Sequence, residues 1–189
     1  MNHSISSPIE LRRICLVGVR GVGKTSIIKS IIHELPHIDY VVGSAVLREL
    51  AGADFARFDH LPPTTKRHYR EAAIMWMVER QNREGRHILC DGHVSLLDES
   101  TGRVDPVFTS YDCVFFRELL HLEAPLDTIL AQRQGDPSKK RSLERGVIAA
   151  EIAAERGTCL QLAEEYGMYL HHLPQNGPAT ALRLKEILS

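Results

Sequence analysis

The sequence predicts an α/β fold: one five-stranded parallel sheet with helices on both faces and a short basic lid. Three observations predict it. Short apolar, β-branched runs alternate with runs of helical period along the chain. The first such pair is joined by the glycine-studded stretch "VGVRGVGKTSIIKS", positions 17 to 30. The spacing leaves room for crossover helices, and right-handed crossovers place helices on both faces of a parallel sheet.

The elements follow in order. "RICLVG" (13 to 18) reads as a buried strand ending in glycine. "TSIIKSIIHEL" puts Ile27, Ile28, Ile31, Ile32 and Leu35 on one helical face, and Pro36 closes it. "IDYVVG" (38 to 43) is a second strand, and Ser44 is placed to cap a short helix, "AVLREL", that Gly52 ends. Pro62, Pro63 and Thr64 introduce the helix "TKRHYREAAIMWMVERQNRE", which Gly85 stops. "RHILCDG" (86 to 92) is a third strand ending in a carboxylate. Residues 94 to 108 carry turn chemistry without a sustained period, so a loop over the carboxyl edge of the sheet is expected. "ELLHLE" (118 to 123) is a fourth strand, and Pro125 suits the first turn of the helix "PLDTILAQRQ". The break "GDPSKKRS" (135 to 142) is loaded with cations. A helical region over about 143 to 166 is interrupted by Gly146 and Gly157; "MYLHHL" (168 to 173) is a fifth strand, and "PATALRLKEIL" a closing helix. With no internal repeat or low-complexity linker, residues 1–189 read as a single domain.

Composition narrows the function classes. At 189 residues and 43% hydrophobic, the chain can bury one substantial core. Lys plus Arg (23) balances Asp plus Glu (24), so no global field draws it to nucleic acid or an anionic membrane, and direct nucleic-acid binding is not expected. Cys15, Cys90, Cys113 and Cys159 show no CxxC spacing, which fits buried thiols in a reducing compartment. No apolar run reaches about 18 residues and the first residues lack a signal peptide's apolar core, so a soluble, cytoplasmic protein is expected. His171 and His172 are neighbours in a strand and point to opposite faces, so a histidine-built metal site is not expected.

Gly18, Gly21, Gly23, Lys24 and Thr25 match G-x-x-x-x-G-K-[ST], between a predicted strand and a predicted helix. The glycines let the backbone curl so that N–H groups point at phosphate oxygens, and the following helix presents its positive end. This is the signature of a P-loop NTPase fold. Residues from Gly18 through Val22 to Thr25 and Ser26 are the expected ATP site: Lys24 reaches the β- and γ-phosphates, and Thr25 ligates Mg²⁺. Asp91, ending a strand, is placed for a second Mg²⁺ contact. A GTPase would carry N-K-x-D and an AAA-type motor a strand ending in Asp-Glu; here the strand ends "CDGH". The cations Arg133, Lys139, Lys140 and Arg141, in a lid over about 133 to 142, suit a kinase, whose catalysis rests on positioning and on positive charge around the phosphoryl group.

The order "GVRGVGKTS", "VVGSAVLREL", "LPPTTKRHYREAA", "GRHILCDGH", "ILAQRQGDPSKKRSLE" and "HLPQNG" resembles the archaeal-type adenylate kinases and related P-loop nucleoside and nucleotide kinases, from Arg12 onward. The resemblance implies an acceptor-side insertion over about 44 to 84, in which Gly43, Ser44, Leu47 and Arg48 line the acceptor and Arg57, Arg67 or Arg70 grips it. It implies that Asp91 and His93 sit beside acceptor and metal, that Arg133 and Arg141 clamp phosphates, and that Gln175 and Asn176 touch the adenine. Many archaeal-type members read Gly-Gly-Thr-Thr where this chain reads Gly-Lys-Thr-Ser, and residues 54 to 70 match only loosely. The expected function is ATP- and Mg²⁺-dependent phosphoryl transfer to a nucleoside monophosphate such as AMP. Two alternatives stay open. One is a kinase of a hydroxyl acceptor, with Asp91 or His93 as general base; the other is an ATPase switch acting on a protein partner.

Overall fold

Four apolar residues in succession, Ile14 to Val17, suit a strand with no wet face, and β1 (Arg13–Val17) lies at the centre of the sheet. The computed structural model describes residues 10–98, 101–137 and 141–189. After β1 come α1 (Lys24–Ile31), β2 (Ile38–Val42), α2 (Gly43–Ala51), α3 (Pro63–Glu84) and β3 (His87–Asp91). There follow β4 (Ser95–Asp98), β5 (Arg103–Pro106), α4 (Ser110–Phe115), β6 (Glu118–Glu123), α5 (Leu126–Gln134), α6 (Arg145–Tyr166), β7 (Tyr169–Pro174) and α7 (Pro178–Leu188). The main sheet has five strands in the order β2-β3-β1-β6-β7, every neighbouring pair parallel. This is the P-loop kinase fold, with the loop leaving the central strand at its carboxyl end.

Alternation along β1 divides the core. Leu16 packs with Leu120 and Leu122 of β6, Ile27, Ile28 and Ile31 of α1, and Leu184 and Leu188 of α7. Cys15 and Val17 face the other way, toward Ala73, Ile74 and Met77 of α3 and Cys159 and Leu162 of α6. All four thiols are buried and free. Among the described residues no helix is long and apolar enough to cross a membrane.

Several local expectations are corrected. Residues 94 to 108 are not a plain loop: β4 and β5 form an antiparallel hairpin outside the main sheet. Its strands are mostly wet, with Arg103, Val104 and Pro106 exposed, so no hydrophobic alternation announces them. Ser44 caps nothing; α2 begins at Gly43, two residues earlier than expected, with Val42 at its N-cap, and Ser44 stands exposed in the first turn. The first helix ends at Ile31 and tightens into a 3₁₀ turn, Ile32–Glu34. A 3₁₀ segment, Gly52–His60, joins α2 to α3. Pro125 is the N-cap of α5 rather than inside its first turn. Gly146 and Gly157 do not interrupt α6, which is continuous. Each costs about 1 kcal/mol against alanine, a loss outweighed by burial of Ile148, Cys159 and Leu162 on the inner face.

Gly18 is where loop and sheet meet most closely. Its φ is +144°, and a Cβ there would lie 2.5 Å from the carbonyl oxygen of Leu122, a backbone atom of β6 that cannot step aside. Gly18→Ala should destabilise the protein by roughly 2 kcal/mol or more. Gly157→Ala, with nothing within 4 Å of the new methyl group, should stabilise it by roughly 0.5–1 kcal/mol. Urea midpoints of the two variants check the pair, and equal effects would contradict the packing described.

Candidate active site

The loop from Gly18 to Gly23 curls on itself, with the Val22 N–H donating to Val19 O at 3.2 Å. Gly23 is the N-cap of α1 in the left-handed region (φ 100°), and no side chain caps the helix. The first-turn amides therefore face outward with the positive end of the helix dipole, a ready anion site. Lys24 is buried and folds back, its Nζ donating to Gly18 O at 2.6 Å. Burial lowers its pKa, and the carboxylates of Asp91 and Glu155 oppose that shift. A phosphate in the loop would supply the compact counter-charge that this ammonium lacks.

Thr25 and Asp91 meet at the carboxyl end of the sheet. Thr25 Oγ1 donates to Asp91 Oδ2 at 2.7 Å, and the Tyr40 hydroxyl donates to the same oxygen at 3.2 Å. Burial, then the charge of Asp91, raises the Tyr40 pKa, so the phenol keeps its proton. A hydroxyl and a carboxylate together are an oxygen-only donor pair, which fits Mg²⁺. Gly43 lies against the same strand end: a Cβ there would come within 3.2 Å of Asp91 O.

Glu155, on the inner face of α6, is the residue that sequence reasoning missed. Its carboxylate is 1% exposed and accepts from the N–H of Gly18 (3.0 Å), of Val94 (3.3 Å) and of Ser95 (3.0 Å), and from Ser95 Oγ (2.9 Å). His93 Nδ1 is 3.8 Å from it. Burial alone would raise the Glu155 pKa, but His93, Lys24 and Ser95 outweigh it and hold the carboxyl down to about 2. The available signal was an acid at a core position: Ile148, Glu151, Glu155, Cys159 and Leu162 recur every three or four residues along one helix face. His93 itself is a quarter exposed, beside a crevice lined by Val19, Arg20, Ser95 and Leu97. Burial, then the charge of Lys24, lowers its pKa, which favours the neutral imidazole.

The two lid arginines are placed differently. Arg133 is buried: Nε and Nη2 donate to Arg20 O at 3.0 and 2.8 Å, Nη1 donates to Ser142 O at 2.9 Å, and Nη2 also pairs with Glu151. Its guanidinium is spent on the chain itself and braces the loop from outside. Arg141 pairs loosely with Asp136 at 3.8 Å, and its Nη1 would lie 3.3 Å from a Cβ on Gly21. Lys139 and Lys140 lie outside the described residues. Gln175 also braces the loop, its Nε2 donating to Val22 O at 3.1 Å, whereas Asn176 is exposed.

The acceptor-side arginines are scattered. Arg48 lies over the Phe55 ring at 4.9 Å, Arg57 pairs with Asp54, and Arg70 donates to Pro106 O at 2.9 Å. Arg67, like Ser26, is exposed. Among the described residues, no hydrogen bond or ion pair joins any of these arginines to Lys24, Thr25 or Asp91.

A family model described as an AAA domain matches residues 17–146. No curated protein matches the chain. Solved structures that share the fold include two kinases. A sugar kinase from Janibacter sp. HTCC2649 superposes with a TM-score of 0.60 at 14% identity, covering 94% of each chain. Shikimate kinase from Acinetobacter baumannii, solved in complex with shikimate, gives 0.59 at 16% identity, covering 94% of this chain and 91% of its own.

The Glu155 carboxyl makes an acid-stability prediction. Its folded-state pKa lies below its unfolded value, so the stability it contributes is present above about pH 4.5 and is lost as pH falls toward about 2. The lost amount is on the order of 3 kcal/mol. Glu155→Gln should be less stable than the parent at pH 7, and the difference should shrink over that window in urea melts. A difference that stays constant would remove the buried carboxylate from this role.

Proposed function

Because the chain belongs to the AAA domain family, whose model spans residues 17–146, we propose that it is a P-loop phosphotransferase moving the γ-phosphoryl group of ATP to a small acceptor. The observation that carries this reading is the convergence of Lys24, Thr25 and Asp91 at the mouth of the loop. Lys24 would exchange Gly18 O for the β- and γ-phosphates, and Arg141 lies near enough to Gly21 to meet the transferring group. Thr25 and Asp91 would hold Mg²⁺, which would supply charge neutralisation to the phosphates. Arg133 and Gln175 act as positioning residues, holding the outer wall of the loop through Arg20 O and Val22 O.

The acceptor class turns on which groups are free. The family resemblance favours a nucleoside monophosphate such as AMP, which needs an unengaged guanidinium for its phosphate. Arg48, Arg57 and Arg70 each make a contact within the chain, and Arg67 stands exposed for that role. Neutral His93, set beside Glu155 and near Lys24, instead favours a hydroxyl acceptor, because a hydroxyl must lose a proton to a base and an acceptor phosphate need not. Two of the solved structures that share this fold are a sugar kinase and a shikimate kinase, and this adds to the same side.

Lys24→Ala should lower transfer at least about 100-fold, a loss of roughly 3 kcal/mol of transition-state stabilisation. The assay follows ADP release with ATP, Mg²⁺ and two acceptor panels, one of nucleoside monophosphates and one of sugars and related alcohols. Turnover with an alcohol that falls about 100-fold or more in His93→Gln supports the hydroxyl reading. Turnover with a monophosphate that His93→Gln leaves intact restores the nucleotide-kinase reading. ATP hydrolysis with neither panel would favour the switch.

A further inference from the structure

Away from the phosphate loop, the carboxyl ends of β6 and β7 bring three metal-ligating side chains together. His121 and His172 are register partners in adjacent parallel strands, so their side chains share a face, and Glu123 lies two residues along on that same face. His121 Nδ1 is 3.4 Å from Glu123 Oε1, and His172 Nδ1 is 3.8 Å from Glu123 Oε2. One donor atom from each residue lies within 4.8 Å of the other two. The His121 ring is 3% exposed, and its Nδ1 is buried without a hydrogen-bond partner. An orphaned ring nitrogen aimed at a carboxylate and a second imidazole is an incomplete coordination shell.

We propose that His121, Glu123 and His172 form a three-ligand site for a zinc-type divalent cation. Two imidazoles and one carboxylate suit Zn²⁺ and its borderline neighbours, whereas Mg²⁺ prefers oxygen alone, as at Thr25 and Asp91. The two sites therefore select different ions. Ligands about 2.0–2.2 Å from one tetrahedral ion stand about 3.3–3.6 Å apart; His121 and Glu123 already have that spacing, and the exposed His172 is free to close in. Arg156 of α6, 60% exposed, reaches Glu123 Oε1 at 3.4 Å. It holds the carboxylate when the ion is absent and swings to solvent when the ion binds.

The site stands next to the seat of the phosphate loop. Glu123 O accepts the backbone N–H of Gln175 at 2.7 Å, and Leu122 O is the atom against which Gly18 packs. A bound ion would cross-link β6 to β7 at that point.

Chelator-treated protein titrated with ZnCl₂ alone, with no nucleotide, should bind one equivalent with a Kd of about 10 μM or tighter and rise in melting temperature. Co²⁺ in its place should develop a visible absorption band. His172→Ala and Glu123→Gln change accessible side chains and should each weaken binding by about tenfold or more. Asp91→Asn should leave it unchanged. No saturable equivalent in the parent, or affinity unchanged from the parent in His172→Ala and Glu123→Gln, would overturn the site. Loss of Zn²⁺ binding in Asp91→Asn alone would overturn it too, by moving the ion to the phosphate loop.

Discussion

One buried carboxylate organises this molecule. Glu155 sits in the middle of a 22-residue helix and accepts the first amide of the phosphate loop together with the amides that begin the β4–β5 hairpin. Taking a charge out of water is expensive unless every lone pair is met, and four donors plus the nearby Lys24 and His93 meet these. The result is a rigid triangle of loop, hairpin and α6. The same carboxylate faces Lys24 and His93, and its charge opposes the lowering that burial imposes on both pKa values.

The loop is thus shaped before any ligand arrives. β6 supports it at Gly18, Gln175 holds Val22 O, and the Arg133–Glu151 pair holds Arg20 O. Catalysis by positioning requires donors that need no reorganisation at the moment of reaction. Fastening the loop through its carbonyls leaves the N–H groups at the start of α1 free for phosphate oxygens. Arg133 is fixed on Arg20 O, whereas Arg141 is half-buried and only loosely paired with Asp136.

Much of this was legible in the sequence. β1 and β3 announced themselves because both faces are buried and the apolar runs are unbroken, as in Ile14 to Val17 and Ile88 to Cys90. The phosphate loop was legible because its glycines, Lys24 and Thr25 are local and fixed in spacing. The hairpin was not, because strands exposed on one side and ending at Pro106 carry no period. Glu155 was hidden by distance: its partners lie 60, 61 and 137 residues away, and a carboxylate in a helical stripe reads as surface. The His121, Glu123 and His172 cluster was hidden in the same way, since only strand register brings residues 121 and 172 together. The lid arginines were found as cations, but burial decides their roles, and spacing does not encode burial. The acceptor side was the least legible part, because the arginines there are numerous and side-chain engagement alone separates them.

The central claim is that the loop fastened by Glu155 receives the triphosphate of ATP. A crystal structure with a non-hydrolysable ATP analogue and Mg²⁺ tests it most directly. The account predicts the phosphates against the amides at the start of α1, Lys24 Nζ moved from Gly18 O to a phosphate oxygen, the ion between Thr25 and Asp91, and the Gly18 N–H still on Glu155. A triphosphate bound elsewhere, or Lys24 still on Gly18 O with the analogue in place, would contradict it.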